Sequence, residues 1–208
     1  MTTSPADDAL NARHAEKMKR HQAARAKIMA GKTADKGLII VHTGPGKGKT
    51  SAALGMVFRH IAHSIPAAVV QFTKSPDFVT GEAILLRRFP ELCTLEIMGD
   101  GFTWDTQDRA ADIASARAAW ERAKDLIRDD RHGLVLLDEL NIVLRYDYLP
   151  VAEIVDFLKA EKPPGKHVVV TGRNAKPELI ELADLVTEMA LVKHPFRSGV
   201  KAQKGIEF

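Results

Sequence analysis

A single cysteine, Cys93, stands in a chain of 208 residues, so neither a disulfide framework nor a thiolate metal cage can be built from it. No apolar run approaches the length needed to cross a bilayer, which argues against a membrane-spanning protein. The first residues, Met1 to Ala9, are polar and include Asp7 and Asp8. They lack the apolar core of a signal peptide, so a cytoplasmic protein is the simplest expectation. Net charge is also scarce: +3 is too little to argue for a nucleic-acid partner. What remains is ordinary for a globular chain, with 45% apolar and 27% charged residues and enough length to bury one core.

The small charge is unevenly placed. Between Asn11 and Lys36 eight basic residues (Arg13, Lys17, Lys19, Arg20, Arg25, Lys27, Lys32, Lys36) face only Glu16 and Asp35. Residues 1–36 therefore read as a basic arm, with helical character across Ala9–Met29. Composition leaves two readings open, a partly disordered tail or a helix that folds over a ligand. A separate domain is expected over residues 37–208.

From Gly37 short apolar runs alternate with helical patterns. Leu38–His42, Ala67–Phe72, Leu134–Asp138 and His167–Thr171 are continuous apolar runs without period-two alternation, as suits strands buried on both faces of a parallel sheet. Thr94–Met98 and Asp184–Ala190 are weaker strand candidates. Helices are expected over Lys49–His63, over Thr106–Asp130 with Ile113, Trp120 and Ile127 at heptad-like spacing, and over Val151–Lys159 behind Pro150. Pro163-Pro164-Gly165 forces a turn. The alternation implies an α/β fold, a mostly parallel, doubly wound sheet of about six strands with helices on both faces.

Val41–Ala53, VHTGPGKGKTSAA, leaves the first strand and enters the first helix of this domain. Gly44, Gly46 and Gly48 permit close approaches that a Cβ would obstruct, so backbone N–H groups can surround phosphate oxygens at a helix N-terminus. Lys49 would bring positive charge to the phosphates, and Thr50 would offer its hydroxyl to Mg²⁺. In the general pattern the first glycine position falls on Thr43, while Gly48-Lys49-Thr50 matches. The spacing points to a nucleoside triphosphate, ATP by preference, and is silent on the chemistry done once it is bound.

Leu134–Glu139, LVLLDE, is an apolar strand ending in two carboxylates, and an acidic group at this location completes the metal site of phosphate-loop proteins. Asp138 and Glu139 would point opposite ways on an extended strand. Gly99–Asp108, GDGFTWDTQD, puts Phe102 and Trp104 on one side of an extended segment, either tucked onto the core or forming a platform for a flat ligand. Arg173, in Thr171-Gly172-Arg173 after a buried strand, either reaches the nucleotide or is a surface arginine.

In order along the chain, TGPGKGKTSAA, VVQFTK (Val69–Lys74), GFTWDTQ (Gly101–Gln107), VLLDEL (Val135–Leu140), YDYLP (Tyr146–Pro150), TGR (Thr171–Arg173), ELAD (Glu181–Asp184) and the terminal VKAQKGIEF resemble the phosphate-loop ATP:corrinoid adenosyltransferases. GFTWDTQ and YDYLP are the specific motifs, since a generic ATPase has no need of them. The resemblance implies a P-loop NTPase-like, RecA-type sheet. It implies that Gly46 to Thr50 wrap the triphosphate, flanked by Gly44 and Ser51 and including Lys47, Gly48 and Lys49. Thr50 and Glu139 would serve Mg²⁺, with Asp138 the alternative carboxylate, and Arg59 and Arg173 would lie near the nucleotide. Phe102 and Trp104 match aromatics that sit under the corrin ring and displace its lower axial base.

The implied reaction is attack by Co(I) of cobalamin, or of a cobinamide-type corrinoid, on the ribose 5′ carbon of ATP. An electron donor, a reduced flavoprotein or flavin, would supply the Co(I). A homodimer and an N-terminal helix closing over the corrinoid come with the family. A sequence without a catalytic triad or active thiol suits chemistry in which the metal is the nucleophile. One position departs from the family: Pro45 stands where the loop commonly carries asparagine, removing a side-chain hydrogen bond and an N–H. Two other classes remain for comparison, a non-catalytic ATP- or corrinoid-sensing module and a phosphotransferase with Asp138 as its base.

Overall fold

The computed structural model describes residues 5–75, 77, 79–99 and 108–207. The chain divides into two units, Met1–Asp35 and Lys36–Phe208. The first is a helix, α1 (Pro5–Ala30), rich in alanine, lysine and arginine, with Asp7 and Asp8 in its first turn and Lys27 in its last. That charge order complements the helix dipole. Among the described residues no helix is long and apolar enough to cross a membrane.

The second unit is built on six parallel strands: β1 (Ile39–Thr43), β2 (Ala67–Gln71), β3 (Cys93–Ile97), β4 (Leu134–Asp138), β5 (His167–Thr171) and β6 (Leu185–Glu188). Their order across the sheet is β3-β2-β4-β5-β1-β6. Every residue of β1, β2 and β4 is buried, because helices cover both faces and each side chain meets one or the other. Val41, Val70, Val135, Leu137 and Val168 pack with α4 (Arg109–Arg128), α5 (Leu140–Arg145), α6 (Val151–Glu161) and α7 (Pro177–Leu182). Ile40, Val69, Leu136 and Val169 pack with α2 (Lys49–Ala62) and α3 (Gly81–Leu86) on the other side. The fold is thus the doubly wound α/β sheet expected, and β5 lies between the loop-bearing β1 and the acidic β4, the RecA-type arrangement.

The weaker strand candidates are strands, β3 and the edge strand β6. Three short helices, α3, α5 and α7, and a 3-10 turn at Pro195–Ser198 are not anticipated by the sequence pattern. Trp120 and Ile127 of the expected heptad stripe are fully buried, whereas Ile113 is only half-buried. Trp120 packs edge-on against Phe157, ring centroids 5.2 Å apart, at the centre of the α4–α6 layer. Parallel strands place all their carboxyl ends on one edge, so the turns after β1, β2, β4 and β5 converge there. Trp120→Ala should therefore cost about 3–5 kcal/mol of stability, read as a lowered urea midpoint with little change in slope.

Candidate nucleotide and metal site

The turn after β1 is shaped by a neighbouring backbone. Met189 N–H donates to Thr43 O at 2.9 Å, and Gly46 N–H donates to Met189 O at 2.6 Å, so residues 189–190 run along the loop. A Cβ on Gly46 would lie 2.5 Å from Ala190 O, and one on Gly44 2.6 Å from Met189 O. These two glycines are thus required by the protein itself, apart from any ligand. Gly48 (φ 102°) ends the loop and starts α2 without a side-chain cap, leaving first-turn N–H groups of a 14-residue helix available to an anion.

Lys49 is 6% exposed and its Nζ donates to Gly44 O (2.9 Å) and Gly46 O (2.5 Å), spanning the loop from within. Burial pulls its pKa down; Glu139 opposes this, while Arg173 and Lys47 add to it. Three cations therefore gather at the loop, a field suited to phosphate oxygens.

Below the loop sits Asp138, wholly buried. Its Oδ1 accepts from the hydroxyls of Thr50 and Thr171, both at 2.8 Å. Its Oδ2 accepts from Gln71 Nε2 at 3.2 Å and faces Lys74 Nζ at 3.4 Å. A carboxylate offers about four lone-pair sites, and these four partners fill them. Asp138 is thereby occupied as an acceptor, and its effect on a cation passes through Thr50. Because the Thr50 proton points to Asp138, the lone pairs of its oxygen face away.

Glu139 adopts a left-handed backbone (φ 64°), and its N–H donates to Thr171 Oγ1 at 2.9 Å. That turn separates its carboxylate from Asp138. Space for it comes from Gly172, whose Cβ would stand 3.1 Å from Glu139 Oε2 and 2.8 Å from Asn141 Cβ. Burial first, then Asp138, pushes the Glu139 pKa up to about 7, against the pull of Lys49, Lys74 and Arg173. A carboxylate at Glu139 and a Thr50 hydroxyl with free lone pairs are hard oxygen donors of the kind that suits Mg²⁺, which keeps several waters and takes further oxygens from phosphates.

The expected residues are only partly gathered. Gly44, Gly46, Gly48, Lys49, Thr50, Asp138 and Glu139 lie together at the candidate site, and exposed Arg173 is near enough for its charge to act on Lys49 and Glu139. Lys47 is exposed and ion-paired with Glu207 near the chain's end. Ser51 is exposed in the first turn of α2. Arg59 is not brought to the loop: it sits exposed in the last turn of α2, about 15 Å along the axis from Lys49 at 1.5 Å per residue. Phe102 and Trp104 lie outside the described residues. Sequence reasoning missed Gln71, Lys74, Thr171 and Met189. The first three lie at or just beyond the carboxyl ends of strands β2 and β5, inside the VVQFTK and TGR motifs, but neither motif by itself assigned them a role.

Residues 35–208 match the family model described as ATP:corrinoid adenosyltransferase BtuR/CobO/CobP. The chain belongs to the ATP:corrinoid adenosyltransferase family. A corrinoid adenosyltransferase of Sinorhizobium sp. is 64% identical over 199 residues, 95% of this adenosyltransferase and 92% of the relative. One from Pseudomonas aeruginosa is 50% identical over 208 residues and the whole of both chains. A third, from Escherichia coli K12, is 45% identical over 174 residues, 84% and 87% of the two chains.

The geometry of this adenosyltransferase leads to two expected outcomes. In Gly46→Ala, the clash with residues 189–190 is an overpacking of about 1–3 kcal/mol, so tripolyphosphate affinity should fall about tenfold, measured by calorimetry. Glu139 has a folded pKa near 7 against an ordinary 4.5. Its protonated form favours the fold, a contribution complete below pH 4.5 and lost as pH rises through 7. Glu139→Gln should flatten the urea midpoint across that window, gaining on the parent protein as pH increases.

Proposed function

We propose that this adenosyltransferase transfers the 5′-deoxyadenosyl group of ATP to Co(I) of cobalamin or a related corrinoid, releasing inorganic triphosphate. The observation that carries the reading is the phosphate loop with Thr50 locked to a saturated Asp138 beneath it, in a chain of this family. In the reaction the cobalt electron pair forms the bond to C5′. The C5′–O bond breaks, and its electrons leave on the triphosphate. No proton need move, and the groups around the loop are holders of charge: no nucleophile or acid–base pair is gathered among the residues described there.

Lys49 is the proposed central contact. Its ammonium now bonds two loop carbonyls and would exchange them for phosphate oxygens, meeting the charge that grows on the leaving group. Arg173, Lys47 and the first-turn N–H groups of α2 would share that charge. Mg²⁺, held by Thr50 and Glu139, would neutralise the triphosphate and fix its orientation. Holding two substrates in line is itself worth about 7–11 kcal/mol.

Phe102 and Trp104 are proposed to fill the lower axial side of the corrinoid, excluding water and the axial base. A cobalt(II) centre without axial donors is easier to reduce, and the protein thereby tunes chemistry that belongs to the corrinoid. A reduced flavin or flavoprotein as electron donor, a homodimeric state and a cytoplasmic setting belong to the same proposal and are supported by the family resemblance.

Incubation with ATP, Mg²⁺ and chemically reduced cobalamin should give a light-sensitive adenosylated product and triphosphate. ADP and phosphate without an alkylated corrinoid would sink the reading, and binding without turnover would favour a sensor. Trp104→Ala should leave ATP affinity nearly unchanged but impair four-coordinate cobalt(II), checked by its absorption and electron paramagnetic resonance spectra.

A further inference from the structure

Lys74 lies three residues beyond β2 and is the least expected cation of the site. Its side chain is 18% exposed, with Nζ 2.8 Å from Glu82 Oε1 and 3.4 Å from Asp138 Oδ2. Burial would lower its pKa, but Asp138 and Glu82 outweigh burial and leave it raised. Glu82 lies in the first turn of α3, a helix capped by Thr80 and anchored by buried Ala83 and Leu86. One ammonium therefore joins the floor of the nucleotide site to an element on the far side of β2.

The backbone beside Lys74 makes a second connection. Gly99 packs so closely that a Cβ there would stand 2.4 Å from Thr73 C and 2.8 Å from Lys74 N. Met98 N–H donates to Gln71 O at 3.0 Å, continuing the β2–β3 register up to that contact. Residues 100–107, which carry Phe102 and Trp104, begin at the next position in the chain. Thus the stretch 71–74 touches Asp138, the partner of Thr50, through its side chains, and Gly99, the residue before the aromatic stretch, through its backbone.

We infer that Lys74 is a positioning residue that sets the spacing between the triphosphate grip and the chain leaving Gly99. The inference rests on the adenosyl-transfer reading above, in which one side holds ATP and the other holds the corrinoid. A lysine that merely balanced Asp138 would need no second carboxylate on another element. Bridging both fixes where the backbone of residues 73–74, and Gly99 upon it, lies relative to Thr50. A displacement of about 1 Å between reactants can cost on the order of a hundredfold in rate. The effect should therefore appear in the chemical step while the triphosphate contacts stay whole.

The test is steady-state adenosylation of reduced cobalamin beside tripolyphosphate calorimetry on the full chain. Lys74→Met should lower kcat about tenfold to a hundredfold, with KM for ATP and tripolyphosphate affinity changed about twofold or less. Lys74→Arg, which keeps the charge and two-sided bonding, should recover much of the rate. Glu82→Gln, which leaves the Lys74–Asp138 contact, should show the same split more weakly, and it serves if Lys74→Met does not fold. A normal kcat in Lys74→Met or, should that not fold, in Glu82→Gln overturns the inference, as does a rate loss matched by lost tripolyphosphate affinity. A parent protein that makes no adenosylated corrinoid overturns the functional reading and the inference with it.

Discussion

A carboxylate with no exposure to water, Asp138, must be met by donors on every side, because an unpaired buried charge costs far more than a fold of this size can spare. The donors come from different parts of the chain: Gln71 at the end of β2, Thr50 in the first turn of α2, Thr171 at the end of β5, and Lys74 beyond β2. Satisfying one residue thus holds together the edge of the sheet at which ligands bind. The same bonds orient the Thr50 hydroxyl and define which face of its oxygen remains open. Stability and the orientation of the Thr50 hydroxyl therefore draw on the same set of contacts.

The phosphate loop is determined in a similar way. Its glycines admit the backbone of Met189 and Ala190, and the bonds of Met189 to Thr43 and Gly46 set the loop's path. The segment after the edge strand β6 is therefore a structural wall of the candidate nucleotide site. Lys49 then crosses the interior of the loop on carbonyls that β1 and residues 189–190 have fixed in place.

The strands were legible because parallel strands covered on both faces must be apolar throughout, as LIIVH, AAVVQ, LVLLD and HVVVT are. The loop was legible because its chemistry comes from contiguous residues, Gly44 to Thr50. Six-residue helices such as α3 and α5 carry too few turns to show a period, and their ends are set by packing. Lys74 was hidden for another reason: its partners lie 8 and 64 residues away, and only the strand order β2–β4 brings Asp138 to it. Arg59, which the resemblance places near the nucleotide, lies in the last turn of α2, at the opposite end of that helix from Lys49. The division of labour between Asp138 and Glu139 required the left-handed turn between them, which adjacent letters do not reveal.

That turn also has a bearing on how the protein can be changed. A glutamate held at φ 64° stores backbone strain of about 1–3 kcal/mol, which glycine or asparagine at the same position would relieve. Selection for thermal robustness alone would therefore favour replacing Glu139, while retention of a carboxylate facing Gly172 opposes it. If Glu139 holds the cation as proposed, the position is a local trade of robustness for chemistry, and stability-guided redesign would have to hold residue 139 fixed.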